Sequence, residues 1–123
     1  MNYKKKNLII KKFKDVFLDE IIFEGLIDRN NGFDCTPNKY FNQTDFEKVI
    51  KRCKLYKLQI FGINVVTNNG IAYDVKIKED FESEPIWYEA AFNHFKHNCR
   101  KEILYNASYG VPELNSINFR SEL

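Results

Sequence analysis

Glycine, proline, histidine and cysteine are all scarce in this sequence, and each scarcity removes a class of protein. The 123 residues include five Gly, three Pro, two His and three Cys. There is no Gly-rich loop to cradle phosphates, and neither G-x-S-x-G nor C-x-x-C occurs. No cofactor-binding pattern is present, so no cofactor is expected. Cys35, Cys53 and Cys99 are odd in number and widely spaced. That argues against a disulfide framework and for a reduced, cytosolic setting. Long apolar runs are also missing. Leu8-Ile9-Ile10 is broken by Lys11, Lys12 and Lys14, so neither a membrane span nor a signal peptide is expected. Charge of one sign does not dominate: 19 Lys and Arg face 17 Asp and Glu, a formal +2. Bulk charge therefore gives no reason to expect nucleic acid or a membrane surface as partner. No repeat, low-complexity block or linker is visible. The expectation is a single domain over residues 1–123, with a loosely ordered tail at 113–123.

What the chain does contain is buried-ring material. Hydrophobic residues make up 44% of it, with eleven Phe and seven Tyr, enough for a sizeable core. Ile9, Phe13, Val16, Phe17, Ile21 and Leu26 recur at helical spacing and predict a largely covered helix over 7–28, stopped by Asn30-Asn31-Gly32. Thr44-x-x-Glu47 reads as a capping box opening a second helix at about 44–56, with Phe46, Val49, Ile50 and Cys53 as its apolar stripe. Residues 58–66 are β-rich on both faces and suit a central strand. Asn69-Gly70 predicts a type I′ hairpin. Beyond it Ile71, Tyr73, Val75 and Ile77 alternate with Ala72, Asp74, Lys76 and Lys78, which predicts a strand whose apolar side is buried. Ser83-Glu84-Pro85 is a helix start, followed by the stripe Tyr88, Ala91, Phe92, Phe95 and Cys99 with Trp87 beside it. Residues 102–109 alternate again as a last strand. The order α-α-β-β-α-β predicts an α+β domain: a small, mostly antiparallel sheet with helices packed on one face.

The residue types that carry chemistry are thinly spread. His94 and His97 lie three apart on the third helix and off its apolar stripe. As a metal pair they need a third ligand, and as the acid and base of a metal-independent nuclease they need to face each other across a phosphodiester. Solvent-facing side chains are the plainer reading. Cys53 and Cys99 fall on apolar stripes, where Cys acts as a small hydrophobe. Cys35 sits in a loop. No catalytic residue and no metal site is therefore assigned. Lys4, Lys5, Lys6, Lys11, Lys12 and Lys14 form an N-terminal segment without an acid, which leaves a nucleic-acid-binding regulatory domain as an alternative reading. The segment that suits a protein partner is acidic: Asp74, Glu79, Asp80, Glu82 and Glu84, then Trp87 and Tyr88. Aromatic rings supply desolvated area, and carboxylates steer and pair with a basic surface. The plainer reading there is a solvated acidic face and a core tryptophan.

The run Thr44–Cys53, the strand Ile60-Phe61-Gly62-Ile63-Asn64-Val65, the turn into Tyr73-Asp74, the acidic loop and Trp87-Tyr88-Glu89 resemble a known family over roughly residues 30–110. They look like small bacterial immunity proteins of contact-dependent growth inhibition systems, particularly those against ribonuclease toxins. The resemblance implies a non-enzymatic cytoplasmic protein that binds a cognate toxin domain, often a basic nuclease, and covers its active site or substrate surface. It carries over no functional residue by position.

Overall fold

A computed structural model describes residues 3–81, 83, 86–99 and 102–112. The expected order holds among them. Helix α1 (Tyr3–Phe17) runs into one π-helical turn (Leu18–Ile22). Helix α2 (Gln43–Leu55), strands β1 (Ile60–Thr67) and β2 (Ala72–Ile77), a 3₁₀ turn (Lys78–Phe81), helix α3 (Trp87–Asn98) and strand β3 (Ile103–Tyr109) follow. The protein is α+β, with an antiparallel sheet in the order β2-β1-β3. The tail 113–123 lies outside the described residues.

The first helix is shorter and barer than its periodicity predicts. Helical structure ends at Ile22 rather than near residue 28. The Phe23 amide closes the π turn on the Leu18 carbonyl, and Gly25 then takes a left-handed φ of +75°. Arg52 of α2 fixes this exit by donating from Nη1 to the carbonyls of Ile22 and Glu24, at 2.9 and 2.8 Å. Phe17, Leu18 and Ile22 enter the core, but Leu8 and Val16 remain 68% and 45% exposed.

Helix α2 starts one residue before the predicted capping box. Its N-cap is Asn42, whose side chain accepts the Asp45 amide at 2.9 Å. The Phe41–Tyr105 bridge brings the chain to the sheet immediately before that point, and Asn caps as well as Thr. Glu47 is thereby freed from capping and pairs with Lys96 of α3 and Lys51.

Helices α2 and α3 cover one face of the sheet. Tyr105 of β3 is the hub: Phe46 stacks on it with centroids 4.9 Å apart, and Phe92 meets it edge-on at 5.3 Å. Ile63 and Val65 of β1 and Ile103, Ala107 and Tyr109 of β3 complete this layer. On the opposite face, among the described residues, Tyr40 and Phe33 of the 28–41 loop close one corner by packing on Val66 and Leu104. Asn30 organises that loop, donating to the carbonyls of Asp34, Cys35 and Asn38.

The β1–β2 turn is a three-residue loop rather than a type I′ pair. The Gly70 amide bonds the Thr67 carbonyl, and Gly70 alone is left-handed, at φ +81°. A Cβ on Gly70 would also lie 2.3 Å from Phe33 Cγ. A bulge between the pairs Val65↔Asp74 and Val66↔Ala72 absorbs the extra turn residue at Tyr73.

Candidate protein-binding surface

The outermost strand inverts the expected polarity. Because Ile63 and Val65 face the helices, their register partners Lys76 and Asp74 are on that side too. Val75 and Ile77 point the other way, opposite Asn64 and Gly62, and are 57% and 43% exposed. Tyr73 at the bulge and Ile71 beyond it are 45% and 65% exposed, so the four residues predicted to be buried are open to solvent. The register forces this outcome, since strand side chains alternate and shifting one residue would drive Val65 out of the core. Phe61 of β1 adds a further exposed ring.

The helix-side charges are put to use locally. Lys76 is largely covered, its Nζ 5.9 and 5.5 Å from the ring centres of Phe81 and Phe95. Asp74 lies 3.9 Å from that ammonium. Asp74 Oδ1 also accepts the Val75 amide at 2.8 Å, and Asp80 Oδ2 accepts the Ile77 amide at 3.0 Å. Glu79 and Asp80 are both exposed on the 3₁₀ turn at the end of the row.

Of the predicted partner-binding carboxylates, Glu79 and Asp80 thus lie at the end of the exposed row, and Asp74 lies on the helix-facing side of the same edge strand. Glu82 and Glu84 lie outside the described residues. Trp87 and Tyr88 are not surface anchors beside them. Trp87 is 4% exposed, and its Nε1 donates to the Ile60 carbonyl at 2.6 Å. Tyr88 is buried, and burial pushes its hydroxyl up to about 12. Both start α3 on the side facing the sheet, so they belong to the core. The large apolar side chains exposed beside these carboxylates are Tyr73, Val75 and Ile77.

Elsewhere the chemistry-bearing residues are dispersed. His94 and His97 are exposed and bond within their own helix, His97 Nδ1 to the Asn93 carbonyl at 2.9 Å and His94 Nδ1 to Asn98 at 3.3 Å. No cluster of three or more His, Cys, Asp or Glu able to hold a metal occurs among the described residues. Cys53 is fully buried and burial pushes its thiol up to about 12, which keeps it protonated. Burial also raises Cys99. A groove of about 280 Å³ is lined by Arg29, Asn42, Asn68 and Glu102, a single cation facing a single carboxylate. No described helix is long and apolar enough to cross a membrane. Comparison with known proteins adds no relative: no family model matches the chain, and neither does any curated protein or solved structure.

Proposed function

We propose that this chain is a protein-binding inhibitor that neutralises a basic bacterial toxin domain in the cytoplasm, covering its active site or substrate surface. The observation that carries the reading is the set of exposed apolar side chains of β2, Tyr73, Val75 and Ile77, with Glu79 and Asp80 at their end and Asp74 on the same edge strand. An apolar centre with a charged rim is how protein interfaces are built, and tyrosine is among the residues that dominate their energetics. Carboxylates at the rim attract a surface evolved to hold phosphate and raise the encounter rate. The sequence resemblance to immunity proteins against ribonuclease toxins supplies the partner class: a nuclease domain whose substrate groove is basic.

The test is coexpression with the toxin domain encoded in the adjacent reading frame. The chain copurifies with that domain and restores growth. Val75→Asp and Tyr73→Ala abolish both effects while the melting temperature stays within a few degrees. Glu79→Lys with Asp80→Lys slows association and flattens its salt dependence. Continued toxicity with no complex would overturn the proposal, and so would protection indifferent to the β2 substitutions.

A further inference from the structure

Strand β2 is the edge of the sheet, and its outward amides are held in a distinctive way. Those of Val75 and Ile77 are taken by the carboxylates of Asp74 and Asp80, at 2.8 and 3.0 Å, instead of by a neighbouring strand. A strand whose open donors are filled by side chains is guarded against indiscriminate pairing, and past the bulge at Tyr73 its edge runs regularly from Asp74 to Ile77. Side-chain carboxylates are replaceable partners, because released carboxylates are solvated or find another cation.

We propose that the strand paired with this edge is β2 of a second copy of the chain, antiparallel about a two-fold axis through Val75. In that register Val75 lies opposite Val75 of the second copy. Asp74 lies opposite Lys76 of the second copy on the helix side, and Tyr73, at the bulge, comes beside its Ile77. Between residues 73 and 77 each charge meets its opposite and each apolar residue meets another. Neighbouring registers lack this self-complementarity: centring on Asp74 sets carboxylate against carboxylate, and centring on Lys76 sets ammonium against ammonium, both unfavourable directly across a pair. Hydrogen-bond parity agrees. The Val75 amide already points outward, so a Val75–Val75 pair exchanges two backbone bonds. The Ile77 amide, now held by Asp80, comes to the bulged end of the second copy's strand. Asp74 exchanges its own Lys76, 3.9 Å away, for the Lys76 of that copy. Two sheets of the order β2-β1-β3 become one six-stranded sheet. The two exposed rows then merge into a single apolar platform, the isologous arrangement expected of a symmetric dimer.

This inference goes beyond the proposed toxin binding and is tested without any toxin. Sedimentation of the full chain across a concentration series gives a monomer–dimer equilibrium. Asp74→Lys weakens it by about tenfold or more, which corresponds to about 1.4 kcal/mol. Asp74→Lys combined with Lys76→Asp restores it. Lys76 packs on Phe81 and Phe95, so a second variant spares it: Val75→Pro removes the central outward donor at an edge position that tolerates proline. The dimer is lost in Val75→Pro while its far-UV dichroism stays that of the parent. Val75→Cys, on a Cys35→Ser background, yields a disulfide-linked dimer under mild oxidation. A monomer at every soluble concentration overturns the proposal. A dimer that survives Val75→Pro, or that fails to cross-link through residue 75, overturns it equally.

Discussion

Replacing Trp87 by Phe separates a core role from an anchoring role for the indole. Trp87 is the only tryptophan in the chain and is 4% exposed. Its Nε1 donates to the Ile60 carbonyl at 2.6 Å, and its ring packs 6.0 Å from that of Phe81. Phe keeps an aromatic ring but removes the donor, leaving the first carbonyl of β1 buried without this partner. An unsatisfied buried acceptor costs about 1–3 kcal/mol. The void left by the smaller ring adds about 1 kcal/mol. The expected loss is therefore about 2–4 kcal/mol. Unfolding entropy of about 2.1 cal/mol/K per residue gives about 0.26 kcal/mol/K for 123 residues. The melting temperature should fall by about 8–15 °C. Tyr73→Ala, an exposed truncation, should stay within about 0.5 kcal/mol, or about 2 °C. Far-UV dichroism reads both variants, because Trp87→Phe has no indole emission. In the parent, the single indole should emit to the blue and resist acrylamide quenching. A Trp87→Phe variant that melts within about 2 °C of the parent and yet loses a protein partner would refute the burial argument.

Arg52→Met should cost about 1.5–3 kcal/mol, the value of hydrogen bonds from a charged group, and should speed amide exchange at residues 22–26. Arg52→Lys should recover only part of that loss, because an ammonium lacks the guanidinium fork. Acid should act through two carboxylates held below their ordinary values, Asp34 by the Tyr40 hydroxyl and then the Cys35 amide and Asn38, and Glu47 chiefly by Lys96. Their stabilising contribution is full above the unfolded values, ordinarily 3.8 and 4.5, and is lost as pH falls through the lower folded values. Asp34→Asn and Glu47→Gln should each flatten the acid limb of a stability–pH curve measured by denaturant titration. In the native protein a maleimide should label Cys35 fast at neutral pH, while Cys53 reacts only after unfolding, as mass spectrometry of the labelled peptides will read.

Element order, the central place of β1 and the buried stripes of α2 and α3 were legible because each rests on a local period that the packing obeys. The stripe of α2 is Phe46, Val49, Ile50 and Cys53, and all four are buried. Helix ends were less legible. The exit at Phe23 depends on Arg52, thirty positions from the Ile22 carbonyl it binds, and no local signal reports that bond. The start of α2 was displaced by the Phe41–Tyr105 bridge, which is equally non-local. The face of β2 was misread, although the sequence held the clue. An Asn69-Gly70 hairpin places Val75 opposite Asn64 and Ile77 opposite Gly62, and these are the pairs observed. The three-residue turn and the bulge at Tyr73 offset each other and restore that register. Asn64 and Gly62 alternate with Ile63 and Val65, so the row on β2 had to lie on the side with less apolar cover. Alternation alone says that one face is apolar; only the neighbouring strand says whether anything covers it. For Trp87 and Tyr88, adjacency in sequence to acids suggested a shared surface, whereas the first turn of α3 directs both rings into the core.

The bond from Trp87 to the Ile60 carbonyl has a consequence for how this chain can change over generations. It fastens the start of α3 to the start of β1, so the place where α3 begins is set by the core. Exposed turns accept substitutions that packed elements do not. The exposed 3₁₀ turn can therefore change its charges without touching the packing around Tyr105. Surface chemistry there can diversify over generations while the core stays still.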